Sequence, residues 1–480
     1  MFSRLLTYEN LADGMIRPDL ATRLPEQPDA LTYAFQINPA ATWQNRAPLN
    51  GRAVTANDVK VSIERQRDGG PAFLRTANWA NVEAIETPDD RTLTVRIKSP
   101  LAAMPHFFAD VSAFIVAPEL VADGALIGLD QQVGSGPFEW VEWSDREFAS
   151  LSRNRTWWGG NERPFLDGVT LEDVRDATEL EGLLRTHRLD LAFVRRALAD
   201  ELKAGISGLQ ESSVGLSRFW GMRFFAVVRP WDDPRVRTAV TIALDRRAML
   251  EQFFEGEGEL NPWVSWPMKR WTLPQSELQT LPGYRVGAAG RQQDINDAQS
   301  MLAAYTSGGQ TIPELGLVVP DDGGAGPGFG AMIRDQLQQT LGLNIVPYPV
   351  DPARLGPAIL NNDFPWVAWP DDGNVDLDDW VYPYFHSQGT KNTFPLRDAD
   401  TDSLIERQRL ELDEDARRAI GFDIQRRMLQ LNVGVNLVSE RLIALSRPYV
   451  RDFPLDVADG YQQRFADTWI DRADASYRAT

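Results

Sequence analysis

The stretch Trp231-Asp232-Asp233-Pro234-Arg235-Val236-Arg237-Thr238-Ala239-Val240-Thr241-Ile242-Ala243-Leu244-Asp245-Arg246 holds two helix starts in succession. Asp233 is a good N-cap, and Pro234 follows at the first helical position, where its missing N–H costs nothing. Val236, Val240, Ala243 and Leu244 recur at helical spacing, so the helix has one apolar face. Asp245 caps a second helix with Met249, Leu250, Phe253 and Phe254 on its apolar face and Gly256 at its end. Two capped helices fix the local fold and leave function open.

Outward from this point, helix and strand signals alternate. Leu31, Tyr33, Phe35 and Ile37 alternate with Thr32, Ala34 and Gln36, which predicts a half-buried strand. Thr55 and Asp58 stand at the spacing of a capping interaction for a helix running toward Arg65. Pro88-Asp89-Asp90 is a turn signal before a second alternating strand, Leu93, Val95 and Ile97. A helix over 177–187 with Leu180, Leu183 and Leu184 inward precedes a buried strand, Leu189–Phe193. Ala298, Met301, Leu302 and Tyr305 line a helix ended by Gly308-Gly309, and Leu315–Val319 is the next strand. Ala331–Leu341 is a further helix, stopped by Gly342, with Leu343–Val346 as the strand after it. This alternation is that of an α/β fold. The Gly-rich run Asp321–Gly328 lacks the Lys-Ser/Thr of a phosphate loop and carries two Asp, so it reads as a surface loop.

Bulk properties narrow the function. A chain of 480 residues with 22 Phe and 15 Trp has material for two or three full cores. A net charge of −19 argues against nucleic acid as a partner, since phosphate binding needs clustered Lys and Arg. There is no cysteine. No apolar run approaches the ~20 residues of a membrane span. Met1-Phe2-Ser3-Arg4 leads straight into a strand-like segment, with no signal peptide. For catalysis the chain offers no G-x-S-x-G elbow, and its three histidines, His106, His187 and His386, form no H-E-x-x-H. The adjacent Asp371 and Asp372 do not face each other across a sugar as glycosidase carboxyls must. Catalytic and metal-ligating residues are therefore expected to be absent, with His386 as the single candidate for holding a nickel complex.

Motifs in register along the chain carry a resemblance. They are Phe2-Ser3-Arg4-Leu5-Leu6-Thr7-Tyr8, Ile16-Arg17-Pro18-Asp19-Leu20-Ala21, Leu31–Ile37 followed by Trp43, and Leu49–Val59. Gly134-Ser135-Gly136-Pro137-Phe138, Asn154–Gly160 and Trp231–Arg246 complete the set. Together they resemble the family 5 extracellular solute-binding proteins, the peptide-, nickel-, opine- and oligosaccharide-binding subunits of ABC importers. The resemblance implies an α/β, two-lobed periplasmic-binding-protein-like clamp of type II with an extra inserted subdomain. Lobe I would comprise 1–29, 126–218 and 446–480, the subdomain 30–125 and lobe II 219–445, with two crossings between lobes. Measured against the family, the chain starts late, without the leader and the first strand-and-helix portion, so lobe I is truncated at its N-terminus.

The resemblance implies a binding protein with no enzymatic chemistry and no cofactor. It would capture a small solute, an oligo- or dipeptide, as a monomer, and deliver it to the membrane permease subunits of an ABC importer. An oligosaccharide, an opine or a nickel complex are the alternative ligands, and a glycan-processing enzyme is the alternative of another class. The location implied is periplasmic or extracellular, lipid-anchored in the full-length form.

The segment Phe364–Trp380 resembles the family stretch in which an Asp three residues after a Trp captures a peptide's α-ammonium. Trp369 and Asp372 fill those places, with Asp371 one step off. A carboxylate in a closing cleft favours a cation, and an apolar Trp beside it strengthens the pair by excluding water. Asn392 fills an Asn place in a stretch that borders the cleft in relatives, as does the Ser3-Arg4 segment, where a long cation replaces a glycine. Two further departures are Phe225 in place of an Asn and His187 in place of a Gly. Histidine tolerates a left-handed helix end, so His187 reads as structural. The crowded Trp263, Trp266 and Trp271 would suit either a core or a sugar platform.

Overall fold

The computed structural model describes the chain except residues 70–74, 123–131, 161, 265–267, 323–324, 362, 372–375, 393–394, 456–463 and 479–480. Two compact units emerge: Met1–Val214 with Ile443–Thr480, and Gly215–Leu442. The chain passes from one to the other inside two long strands, Gln210–Phe224 and Gly434–Ser446.

In the first unit, Glu26–Asp29, Thr32–Gln36, Thr92–Ile97 and Val82–Glu86 form a four-stranded antiparallel sheet in that order. The predicted alternation holds: Tyr33, Phe35, Leu93, Val95 and Ile97 are buried. Phe108 packs against the rings of Tyr33, Phe35 and Trp79. Beside the sheet runs the helix Ala56–Asp68, started by a complete capping box in which the Thr55 and Asp58 side chains accept each other's backbone N–H. Asp58 is shared further: it accepts from Trp43 Nε1 at 3.2 Å and pairs with Arg52 at 2.8 Å. A three-stranded sheet, Phe138–Ser144, Phe148–Arg153 and Gly168–Glu172, and a strand pair, Leu191–Val194 with Ile443–Ser446, complete the framework.

The helix expected at 177–187 is Ala177–Arg185, with Leu180 and Leu184 buried. His187 beyond it has φ +58°, the left-handed conformation that a residue standing for glycine must take. The strand after it differs from the expectation. Leu191–Val194 buries Ala192 and Val194, while Phe193 points outward and meets Phe453. It is a sheet strand with one covered face.

The second unit is built on a mixed sheet. Phe219–Phe224 pairs antiparallel with Trp366–Asp371, and Leu315–Pro320 lies parallel to Ile345–Val350 and to the Trp366 strand. The two capped helices take their predicted places as Pro234–Ala243 and Arg246–Phe254. Asp233 accepts from Arg235 N and Asp245 from Ala248 N, and the second helix unwinds through left-handed Glu255 and Gly256. Val236, Val240, Ala243, Leu244 and Met249 join Trp220, Phe224 and Trp366 in one core. Each fully buried Val, Leu, Met or Phe side chain in it is worth about 1.5–3 kcal/mol.

Two expectations are corrected here. The helix begun at Ala331 in the sequence reading starts at Ala325, so Ala325–Gly328 is helical rather than loop. The glycines permit close packing: a Cβ on Gly326 would lie 1.9 Å from Pro320 O, and one on Gly330 would lie 2.9 Å from Val319 Cγ1. The following strand is Ile345–Val350, two residues later than expected, because Leu343 is spent in the turn after Gly342 at φ +66°.

Candidate functional site

The segment that carries the ligand-site expectation begins at the end of a central strand. Trp366–Asp371 delivers Trp369 and Asp371, both half-buried, and Leu377–Phe385 is the helix that follows. Asp372 lies outside the described residues. Trp369 pairs across the strands with Gly221, so its ring has space that a side chain would otherwise fill.

Between these residues sits an arginine that sequence reasoning missed. Arg223 is 4 % exposed and lies among three rings, with its guanidinium carbon 5.1 Å from the Trp369 ring centre, 5.3 Å from Trp380 and 6.0 Å from Phe219. Its Nη2 is 3.8 Å from Asp371 Oδ2. Nη1 donates to Met222 O at 3.0 Å and Val435 O at 3.4 Å. Burial lowers its pKa to about 10, against which Asp371 raises it, so it stays protonated at neutral pH. Space for this side chain comes from Gly434, where a Cβ would lie 2.6 Å from Arg223 Cδ; a Cβ on Gly221 would meet the Val435 carbonyl oxygen at 2.8 Å before Arg223 Nη1 at 2.9 Å. The signal in the sequence was an isolated arginine in Phe219-Trp220-Gly221-Met222-Arg223-Phe224-Phe225, two residues beyond a glycine on the same strand face.

The other end of the segment is locked by a second buried arginine. Asp376 caps the helix by accepting from Asp378 N, and Arg417 grips its carboxylate with two nitrogens, Nη1 at 2.9 Å. Arg270 stands 3.6 Å from the same carboxylate, and both guanidinium groups stack on Trp271. Asp378 accepts from Gln408 Nε2 at 2.6 Å and pairs with Arg409 at 3.3 Å; burial still holds its pKa above the ordinary value. A recess of about 10 Å3 remains between Phe219, Trp271, Asp376 and Trp380. That is the lower limit for one water.

Asn392 donates to His386 O and Leu396 O, both at 3.0 Å, and so staples the turn after the helix. His386 accepts from Gln388 N at Nδ1, which puts its proton on Nε2, 3.3 Å from Glu406 Oε1. With the ring 5 % exposed and both nitrogens engaged, it offers no ligand position for nickel. Among the described residues no cluster of three or more His, Asp or Glu is arranged to hold a metal ion. Trp263 and Trp271 are each 1 % exposed in the core around Trp380, where a sugar platform has no open face. Trp266 lies outside the described residues.

Ser3 and Arg4 belong to the first unit. Ser3 O accepts from Ile115 N at 2.8 Å, and the Arg4 guanidinium donates to Ala109 O at 2.9 Å with 1 % of the residue exposed. Arg4 is therefore turned to the chain's own backbone. The six expected residues thus fall into Trp369 and Asp371, brought together around Arg223; Asn392, held in a turn; Ser3 and Arg4, in the interior of the first unit; and Asp372.

Comparison with known proteins agrees with this architecture. A family model described as bacterial extracellular solute-binding proteins, family 5 middle, matches residues 15–392. The glutathione-binding protein GsiB of Pectobacterium atrosepticum is 26 % identical over 250 residues, 50 % of this chain and 47 % of that protein. The chain spans about half the length of the curated relatives it matches. Two solved structures share the fold across 98 % of this chain. The PBP AgaA from A.tumefacien R10, in complex with agropinic acid, has a TM-score of 0.77 at 22 % identity over 93 % of its length. DppA from Helicobacter pylori, in complex with the peptide STSA, has a TM-score of 0.78 at 17 % identity over 92 % of its length. With more than three quarters of its length inside the matched span, the chain belongs to family 5 of the bacterial extracellular solute-binding proteins.

Proposed function

We propose that this protein captures a small peptide and presents it to the permease of an ABC importer. The observation that carries the reading is the position of Trp369 and Asp371. Both fall inside the family match, at the end of a central strand, with a carboxylate beside an indole. That pairing favours an ammonium group, because a half-buried carboxylate attracts a cation more strongly than one in bulk water. Asp372 and Asn392 complete the ligand side in this reading, while Ser3 and Arg4 serve the interior of the first unit. The printed name of the GsiB relative, a binder of the tripeptide glutathione, supports a short peptide over a sugar.

The reading includes no catalysis, a monomer, and action outside the cytoplasmic membrane. No described helix is long and apolar enough to cross a membrane. Residues 30–125 act as an inserted subdomain, with 1–29, 126–218 and 446–480 as one lobe and 219–445 as the other.

Native mass spectrometry of the purified protein, followed by titration calorimetry with glutathione, trialanine, a trisaccharide and nickel–histidine, tests the proposal. Retained short peptides, or heat on peptide addition alone, are the expected result. Heat from the sugar or the nickel complex alone would replace the ligand, and product formation from any of them would overturn the binding-protein reading.

A further inference from the structure

We propose that Arg223 is the positioning residue of the peptide site: its guanidinium sets how Trp369 and Asp371 present to the ligand's ammonium. The inference rests on the function proposed above and names a residue that acts through its neighbours.

A buried ion pair is a weak source of stability, since desolvation cancels most of what it returns and replacing both partners by apolar groups is often as stable or more so. The fold nevertheless makes unusual room for this one. At Gly434 no side chain stands where a Cβ would press on Arg223 Cδ at 2.6 Å, while Gly221 clears first the Val435 carbonyl oxygen and then Arg223 Nη1. Glycine within a strand is itself destabilising, so the room for this side chain has a cost at Gly434.

The room is filled with a defined geometry. Trp369, Trp380 and Phe219 surround the cation from two strands and a helix, each within about the 6 Å at which the ring quadrupole attracts it. Asp371 meets the same group at 3.8 Å with its side chain 15 % exposed. One planar cation therefore fixes both an indole and a carboxylate that reach toward solvent from a strand end. Lysine, a point charge on a flexible stem, would keep the charge beside Asp371 without the planar stack.

The test uses the full chain and two probes, trialanine and N-acetyl-trialanine, titrated by calorimetry against wild type, Arg223→Lys and Arg223→Met. Wild type is expected to prefer the free amine by about tenfold or more, the scale of one charge-assisted contact. By charge alone, removing a cation 3.8 Å from Asp371 would raise the preference for the amine; positioning predicts the opposite, with Arg223→Met bringing the two peptides within about threefold of each other and Arg223→Lys keeping most of the preference. A merely structural role would weaken both peptides alike and leave their ratio at the wild-type value, and a merely electrostatic one would raise it; either result overturns the proposal. If Arg223→Met does not fold, Gly434→Ala displaces the same side chain from its stem and should collapse the preference in the same way; an unchanged ratio there also overturns it. A wild-type chain that binds both peptides equally overturns the role of Arg223 together with ammonium capture at Trp369 and Asp371, and leaves peptide capture itself standing. One that binds neither overturns the proposed function and this inference with it.

Discussion

Asp371 and Asp376 stand five positions apart in one segment, and each meets a buried arginine, but the two pairs are built differently. Asp376 has no exposed side-chain surface, caps a helix, and is gripped by two nitrogens of Arg417 with Arg270 beside them. Asp371 is partly exposed, 3.8 Å from an Arg223 that is held chiefly by aromatic rings and backbone carbonyls. The first is a closed network that anchors the segment to the helices behind it. The second faces outward at the strand end. Charge of the same kind thus serves fixation at one end and presentation at the other, and the difference lies in which partners saturate it.

The comparison breaks if the two pairs respond alike to loss of the cation. Arg417→Met should be the larger effect, about 3–5 kcal/mol, because it strands a buried carboxylate. Urea unfolding followed by tryptophan fluorescence would measure it, and a loss below about 1 kcal/mol would remove the distinction. Arg223→Met should cost less, about 1–3 kcal/mol, since Asp371 can turn to water while the rings lose a cation; its effect belongs mainly in ligand affinity, read by calorimetry.

A third pair sharpens the scale. Arg427 holds the Asp398 carboxyl down to about 2 on the same unit, where Asp398 also caps the helix Ala399–Leu410. Because that pKa is lowered, the stabilisation is complete above the ordinary aspartate value near 3.8 and disappears as pH falls through about 2. Asp398→Asn should cost about 1 kcal/mol at pH 7, and its stability should converge on wild type across that acid window. At the bottom of the scale, Arg418→Ala, which removes an exposed pair with Glu414 and Asp415, should stay within about 0.5 kcal/mol in a thermal melt.

The same contrast explains what could be read from the letters. Asp233, Asp245 and the Thr55–Asp58 box are legible because a cap and the backbone N–H that donates to it lie within three residues. The left-handed His187 was legible for the same local reason. Trp369 and Asp372 are legible through the family resemblance, with Asp371 one step off, and a resemblance records a position rather than its surroundings. Arg223 was not found, because the space that receives it depends on Gly434, more than two hundred residues later. Likewise the glycines of Ala325–Leu341 read as loop, since flexibility and close packing use the same residue; only Pro320 and Val319 opposite reveal the second use. Local chemistry was visible, and long-range partnership was not.

The two strands that carry the chain between units have a consequence for synthesis on the ribosome. The first unit draws Ile443 and Leu445 into a core with Leu180, Leu184 and Leu202, and pairs Ile443–Ser446 with Leu191–Val194. Those residues emerge only after the whole of Gly215–Leu442 has been made. The second unit, although contiguous, takes Val435, Leu437 and Val438 of the same Gly434–Ser446 strand into its own core, so both units wait for one strand. Both cores are therefore expected to close late and together, when this one strand has emerged, whereas the four-stranded sheet within residues 26–97 has all its strands long before.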